Sequence, residues 1–402
     1  MSRICLPRNV HFVYEHALAQ LELREGYGLH LDWDPLDPWQ LTGDLNGQHK
    51  LILNRAAYVG TIDGEESVYA QLIRPAYRGG QYNRTRSENQ YLTHWIYPYK
   101  GKFHPQMIRG ILNGIGARPG WTVADVFSGS GTTLLECEIL GIHSVGIDVS
   151  PLCVLLAKVK TESWGFAKEI EEAVSILTKR EAPHPDNINP RDWGTEEVAR
   201  FIEIARMVTY SDSSRRKRDP RKYFGKNLAN MLHSVKDMAR AKEVFGLDFG
   251  DVRVSQGDCR DLQGAGLEPN TIDAIVTSPP YTIALDYVEN DEHALKAMGY
   301  EPDVLREEFI GLRGGSSRKR VQLYEKDMTA VFHQMGGILK PGARAVIVIG
   351  NVTMSGKETV TTDKMVGWAE AAGLRIDRQM DKIVWGLYNM VKDEKIMFFT
   401  KR

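Results

Sequence analysis

The sequence predicts an α/β fold built around a parallel-rich sheet, and three observations lead to this prediction. Residues 123–127 form a short apolar run that ends in a glycine-rich turn, and a helical stretch at 132–140 and a second apolar run at 144–149 follow. This order of strand, turn, helix and strand is typical of a βαβ unit. Further apolar runs lie at 252–255, 271–276 and 344–349. Strands that alternate with helices favour a sheet covered on both faces.

Two further regions precede and interrupt this pattern. Residues 1–90 have many aromatic and turn residues but weak periodicity, so we expect a small N-terminal α+β lobe there. Residues 91–402 form the main domain, and helical periodicity at about 155–248 predicts a helical insertion within it. Apolar runs at 382–385 and 396–400 are expected to be the closing strands of the sheet.

Composition excludes several classes of protein. The chain has 402 residues and a formal net charge of −1, whereas a protein that coats nucleic acid would be far more basic. No apolar run approaches the roughly 20 residues that span a bilayer, and the first residues lack the apolar stretch of a secretory signal. We therefore expect a cytoplasmic protein without a membrane partner. The four cysteines have no paired spacing, which predicts reduced thiols and no metal site.

The glycine-rich turn is the first candidate binding site. Its candidate contact residues are Asp125, Phe127, Ser128, Gly129, Gly131 and Thr132. The two glycines allow a tight turn and a close approach of the backbone to a ligand, and the following helix offers free N–H groups. Asp148 ends the next predicted strand, where an acidic residue in nucleotide-binding sheets bonds ribose hydroxyls.

The same turn argues against two common nucleotide sites. Leu134 stands where a dinucleotide site would have a third glycine, and no Gly-Lys-Ser/Thr sequence marks a P-loop. The pattern thus favours a ligand that contains an adenosine but no phosphate. Asp258, after the third predicted strand, is either a contact for the adenine amine or the N-cap of a helix that begins near Leu262.

The run Thr277-Ser278-Pro279-Pro280-Tyr281 is the candidate catalytic segment. It follows a buried strand, at the end where parallel sheets place their active sites. The two prolines stiffen the chain, so the Pro279 carbonyl and the Ser278 hydroxyl are held as acceptors for the hydrogens of an amine. Tyr281 offers an aromatic face on which a base that has left the double helix can stack.

These motifs resemble those of the DNA amino-methyltransferases, from about residue 97 to residue 400. Residues 127–131 are similar to the cofactor motif of that family, 146–151 to its acidic motif, and 277–281 to its catalytic motif. Residues 97–106 resemble the segment that closes over the methionine end of the cofactor, so Phe103 and His104 are candidate contacts. Taken alone, that segment also fits a loop followed by a helix with Pro105 at its start.

The resemblance implies a Rossmann-like sheet of seven strands with the last one antiparallel, and S-adenosylmethionine as the cofactor. The serine form of the catalytic motif is typical of enzymes that methylate N4 of cytosine in DNA. Adenine-N6 methylation of DNA and guanine-N2 methylation of tRNA are the alternatives, and an inactive nucleic-acid-binding module is a further one. A cognate restriction endonuclease is a possible partner within this class. The N-terminal lobe and the insertion match no motif of the family.

Two basic segments are candidate DNA contacts. One is the run at 215–222, which contains Arg215, Arg216 and Arg218, and the other is the run at 313–320, which contains Arg313, Arg318, Lys319 and Arg320. The second segment also contains two glycines and is expected to be a loop downstream of the catalytic motif. A solvated surface explains an isolated charge run equally well.

Overall fold

A computed structural model of the protein describes residues 1–34, 36–74, 89–179, 183–280, 286–350, 352–354, 357–359, 361–385 and 391–402. The N-terminal part is a small α+β lobe, as predicted. Its elements are β1 (Ser2–Cys5), α1 (Val13–Gln20), β2 (Leu31–Trp33), β3 (Gln40–Gly43), α2 (His49–Arg55), β4 (Thr61–Ile62), β5 (Glu65–Glu66) and α3 (Val68–Leu72). The five strands pair antiparallel in the order β2-β3-β1-β4-β5. The lobe boundary near residue 90 stays a prediction.

The following elements begin the main domain and contain its helical insertion. They are α4 (Pro105–Gly114), β6 (Thr122–Asp125), α5 (Thr132–Ile139), β7 (His143–Asp148), α6 (Pro151–Glu162), α7 (Ala167–Thr178), α8 (Glu196–Arg216), α9 (Pro220–Phe245) and β8 (Val252–Gln256). Helices α7 to α9 lie within the span predicted for the insertion. Their apolar faces pack into one hydrophobic cluster together with Leu156 of α6 and Val288, and Phe201 and Phe224 are fully buried in it. The exact bounds of the insertion remain a prediction.

The last third of the chain completes the sheet. Its elements are β9 (Ile272–Thr277), α10 (Tyr287–Ala297), α11 (Pro302–Arg306), α12 (Ser317–Ile338), β10 (Leu339–Gly350), β11 (Val352–Met354), β12 (Lys357–Thr359), α13 (Thr361–Ala371), β13 (Leu374–Trp385) and β14 (Val391–Lys401). The predicted closing strands are confirmed but are much longer than their apolar centres. The loop expected over 313–320 is wrong in its second half, because Arg318, Lys319 and Arg320 lie in the first turn of α12.

The central sheet has seven strands in the order β13-β14-β10-β9-β6-β7-β8. Strand β14 pairs antiparallel with β10 and β13, and the other pairings described are parallel. The predicted α/β fold with a Rossmann-like seven-stranded sheet is therefore confirmed. The chain runs from β6 outward to β8 and then returns to β9 on the other side of β6. This reversal creates a crevice between the carboxyl ends of β6 and β9, where open α/β sheets bind ligands.

The N-terminal lobe shares a hydrophobic core with one face of this sheet. Ile4 and Leu41 of the lobe belong to the same buried cluster as Val346 and Phe398 of the sheet. The other face is covered by α12 and α13, whose apolar residues pack with strand residues such as Ile347. Among the described residues, no helix combines the length and the apolar character that crossing a membrane requires.

Candidate active site

The glycine-rich turn joins β6 to α5 and depends on glycine at two positions. Gly129 and Gly131 have φ values of 49° and 75°, which favour glycine. A Cβ atom on Gly131 would lie 2.8 Å from the Cβ of Ala157 in α6. A Cβ on Gly129 would lie 3.4 Å from Cε1 of Tyr99, so this tyrosine covers the turn. The segment that the sequence predicts to close over the cofactor therefore reaches the turn through Tyr99, which the sequence analysis did not select.

Asp148, at the end of β7, is held against the same turn. One carboxylate oxygen accepts a hydrogen bond from the Gly129 N–H at 2.7 Å, and the other accepts one from the Ser150 N–H at 2.8 Å. Burial raises the pKa of Asp148 to about 6, although the two hydrogen bonds act to lower it. Each oxygen keeps a further lone pair, so the ionised side chain can still accept from ligand hydroxyls.

Two hydroxyl groups of the turn lack partners in the chain. The Ser128 Oγ and Thr132 Oγ1 atoms are buried and make no hydrogen bond to any described residue. Buried polar groups are normally hydrogen-bonded, so unpaired hydroxyls beside a glycine cradle fit the polar groups of a bound ligand. The buried Lys160 ammonium also donates a hydrogen bond to the Ser130 carbonyl at 2.7 Å, which fixes the turn. Burial lowers the pKa of this lysine to about 7.

A hydrogen bond joins the turn to the candidate catalytic segment. The Thr277 hydroxyl, at the end of β9, donates to the Asp125 carboxylate at 2.6 Å, at the end of β6. The Phe127 N–H lies 3.2 Å from both the Asp125 carboxylate and the Thr277 hydroxyl oxygen. Asp125 and Thr277 are almost fully buried, and burial raises the pKa of Asp125 to about 6. Both candidate loops thus leave the same edge of the sheet, at the crevice between β6 and β9.

The catalytic segment forms a corner directly after β9. Pro279 is buried, whereas Ser278 and Pro280 are partly exposed, so the corner has an open side. The buried Tyr324 of α12 donates its hydroxyl hydrogen to the Pro280 carbonyl at 3.0 Å. No described residue donates a hydrogen bond to the Pro279 carbonyl, which therefore keeps its acceptor capacity. Tyr281 lies outside the described residues, so its stacking role stays a prediction.

Phe103 and His104 lie at the start of α4. His104 is the N-cap of this helix and Pro105 is its first residue, as the sequence alternative predicts. Phe103 packs against the core that the lobe and the sheet share. Burial lowers the pKa of His104 to about 3, and Lys382 and Lys102 act in the same direction, which makes it a neutral imidazole at physiological pH. Direct contact of either residue with a cofactor stays a prediction.

Asp258 is engaged by the chain itself. The Arg260 Nε atom lies 2.8 Å from both carboxylate oxygens of Asp258, and Arg260 also contacts the buried Asp327 at 3.4 Å. Burial would raise the pKa of Asp258, but the bonds from Arg260 hold it below its ordinary value. The alternative that Asp258 caps a helix is wrong, because residues 262–266 form turns. A contact with adenine stays a prediction for a carboxylate already oriented by Arg260.

The candidate DNA contacts divide into paired and unpaired cations. Arg216 and Arg218 both donate to Asp212, at 2.9 and 3.0 Å, and Arg313 forms a two-pronged ion pair with Asp327. Arg215 donates to the carbonyl of Asn290 in α10. Arg320 donates to the Gly314 carbonyl at 3.0 Å. Arg318 and Lys319 are exposed, and neither has a side-chain partner among the described residues.

No group of three or more candidate metal ligands occurs in the described part of the chain.

Comparison with known proteins gives one family match. Residues 64–158 match a DNA methylase family that covers N6 and N4 enzymes. The chain is similar to the type II methyltransferase M.MjaII of Methanocaldococcus jannaschii, with 42% identity over 86 residues, which is 21% of this chain and 16% of the relative. It is also similar to the type II methyltransferase M.BsoBI of Geobacillus stearothermophilus, with 22% identity over 282 residues, which is 55% of each chain.

The chain therefore spans about half the length of the second relative and less of the first. Among solved structures, TrmN from Thermus thermophilus is 12% identical with a TM-score of 0.33, and it covers 93% of this chain and 59% of its own.

Proposed function

We propose that this chain is a DNA amino-methyltransferase, which methylates an exocyclic base amine in DNA. The match to the DNA methylase family and the similarity to two type II methyltransferases support this proposal. The observation that carries the proposal is the hydrogen bond between Thr277 and Asp125. It ties the strand that leads to Ser278 to the strand that leads to the glycine-rich turn. A donor held at the turn and an amine held at the corner would share one crevice.

The residues of the turn fit S-adenosylmethionine, the cofactor that the family match supports. Asp148 is suited to accept from the ribose hydroxyls, and the unpaired hydroxyls of Ser128 and Thr132 are suited to the polar groups of the ligand. Glycine at 129 and 131 allows the backbone to approach it closely. When bound, this cofactor supplies a methyl group already activated on a sulfonium. The protein therefore contributes mainly by positioning the two reactants.

The corner supplies acceptors for the amine. An exocyclic amine is a poor nucleophile because its lone pair is delocalised into the ring. The Ser278 hydroxyl and the Pro279 carbonyl can each accept a hydrogen bond from one N–H of the amine. These two bonds favour a tetrahedral nitrogen whose lone pair points away from the ring plane. Ser278 and Pro280 are partly exposed, so a base can approach the corner from their side.

We assign N4 of cytosine as the target, because the corner carries serine in place of the Asp or Asn more common in adenine-N6 enzymes. The test is incubation of unmethylated duplex DNA with isotopically labelled cofactor, followed by nucleoside analysis. N4-methylcytosine is the expected product. N6-methyladenine would refute the choice of base, and label in tRNA but not in DNA would refute the choice of nucleic acid. A cognate restriction endonuclease stays a prediction.

A pair of serine variants tests the role of the corner. Ser278→Ala is expected to bind the cofactor as the wild type does and to lose most of its turnover, because one acceptor is removed. Ser175→Ala is the matched control, since Ser175 is exposed on α7 in the insertion. Full activity of the Ser278 variant would contradict the assigned role.

A further inference from the structure

The turn between α8 and α9 concentrates positive charge. We define the tip as residues 213–226, which include the end of α8 and the start of α9. The tip contains a single acid, Asp219, and seven cations. These cations are Arg215, Arg216, Lys217, Arg218, Arg221, Lys222 and Lys226. Such a concentration of like charge in a chain of net charge −1 requires a local explanation.

The structure separates the tip cations into two groups. On the α8 side, Arg216 and Arg218 share the buried Asp212, whereas the exposed Lys217 donates, among the described residues, only to the nearby Ser214 carbonyl. Arg221, Lys222 and Lys226 on the α9 side are exposed, and none has an acidic partner among the described residues. The basic run at 215–222 therefore combines Arg216 and Arg218, which shape the tip, with Arg221 and Lys222, which are available to a partner.

The position of these free cations is unfavourable for the isolated protein. Arg221 and Lys222 lie in the first turn of α9, directly after Pro220, where the helix dipole disfavours positive charge. Lys222 and Lys226 are four residues apart on the same helix face, which adds repulsion between like charges. The Arg218 guanidinium carbon lies 4.5 Å and the Lys226 ammonium nitrogen 5.6 Å from the centre of the Tyr223 ring, so these cations converge around one aromatic side chain. These cations destabilise the start of α9 in the isolated protein, and a bound polyanion would offset their repulsion.

The tip also lies next to the active site. Arg215 contacts both the Asn290 carbonyl and, at 3.6 Å, the Asp291 carboxylate in α10. Helix α10 begins at Tyr287, seven residues after Pro280 of the catalytic corner. On the other side, Lys100 donates to the Asn290 side chain at 2.6 Å, next to the tyrosine that covers the glycine-rich turn. The tip thus contacts the helix that follows the corner and neighbours the segment that closes over the turn.

We propose that Arg221, Lys222 and Lys226 bind the phosphate backbone of duplex DNA beside the target base. This inference rests on the proposed function and deepens it, because it assigns the DNA-binding surface to the helical insertion. Contacts with phosphates carry no sequence information, so the tip positions the duplex while other groups select the base. Arg216 and Arg218 act indirectly by holding the turn in shape.

A triple variant tests the surface. Arg221→Gln, Lys222→Gln and Lys226→Gln are combined, and the matched control combines Lys168→Gln, Arg191→Gln and Arg253→Gln, which are exposed elsewhere. Affinity for a fluorescently labelled 30-base-pair duplex is measured by anisotropy between 50 and 200 mM salt. Loss of three phosphate contacts should reduce the slope of log K against log salt by about 2.7, at roughly 0.9 for each contact. The control should keep the wild-type slope.

Thermal unfolding separates a folding defect from a binding defect. The tip variant should melt at or above the wild-type temperature, because it loses cations from a helix N-terminus. Equal salt slopes for the tip and control variants would refute the assignment of the tip as a DNA-binding surface. If the wild type still methylated duplex DNA, the proposed function would remain intact. A wild type that neither binds nor methylates duplex DNA would overturn both. A tip variant that loses affinity for tRNA but not for the duplex would overturn DNA as the partner.

Discussion

Replacing Thr277 with valine removes one hydroxyl from the bond that joins the two candidate loops. Valine keeps the shape of the side chain, and Thr277 is almost fully buried, so no water is expected to replace the lost donor. The acceptor is the Asp125 carboxylate at 2.6 Å. A hydrogen bond to a charged group contributes about 1.5–3 kcal/mol to stability. We therefore expect the free energy of unfolding to fall by about 2 kcal/mol at pH 8, where Asp125 is ionised.

The effect should depend on pH. Burial raises the folded-state pKa of Asp125 from its ordinary 3.8 to about 6, so the folded state binds more protons between these values. Stability therefore falls as pH rises through this window. Since the Thr277 bond acts to lower this pKa, its removal raises the pKa further and extends the fall above pH 6. At pH 5 the carboxyl is mostly neutral, and the loss should be near 1 kcal/mol, as for a neutral hydrogen bond.

Urea unfolding at pH 5 and pH 8 measures both values. Thr161→Val is the matched control, because Thr161 is also buried but its hydroxyl donates to the neutral Ala157 carbonyl at 2.9 Å. Its stability loss should be equal at the two pH values. If the Thr277 variant also lost equal stability at both, the hydroxyl would not be supporting an ionised carboxylate, and the electrostatic account of this junction would be wrong.

Two further predictions concern the corner and the cofactor turn. Tyr324→Phe removes the donor to the Pro280 carbonyl, and the loss of about 1 kcal/mol should lower kcat of methyl transfer about fivefold with little change in cofactor affinity. Tyr210→Phe removes a hydroxyl bonded to Asp186 in the insertion and should leave kcat unchanged, so equal effects would refute a positioning role for Tyr324. Cofactor affinity, measured by calorimetry, should weaken as pH falls below about 6, because protonation of Asp148 removes an acceptor. Asp148→Asn should bind weakly at every pH, and a wild type without pH dependence would contradict this role of Asp148.

The local structure around the candidate site is predicted correctly where neighbouring residues encode it. An apolar run, a glycine pair and a helix define the turn at Gly129 and Gly131. The run and the helix both lie within about a dozen residues of these glycines. The same holds for Asp148 at the end of the next strand. Parallel strands then bring separate loops to one edge by topology alone, which explains why the Ser278 corner and the turn meet although nearly 150 residues separate them.

The sequence does not predict how distant side chains pair with one another. Arg313 is a candidate DNA contact, and the buried Asp327 in the middle of α12 holds its guanidinium in an ion pair. Arg216 and Arg218 are candidates of the same kind, and both form ion pairs with Asp212. A charge run records which cations are present but not which acids the fold brings to them. Only the tertiary structure separates a cation that supports a turn from one that is available to a ligand.

The catalytic corner shows why proline alone does not make a rigid acceptor. Two prolines restrict φ at 279 and 280, but the direction of a carbonyl also depends on what the adjoining peptide contacts. Thr277 fixes the start of the corner to β6, and Tyr324 fixes the carbonyl at its end. Ser278 and the Pro279 carbonyl lie between these two anchors and keep their acceptors free. Since positioning supplies much of the rate when the methyl donor is already activated, residues 277 and 324 should matter for turnover although neither is expected to touch the base.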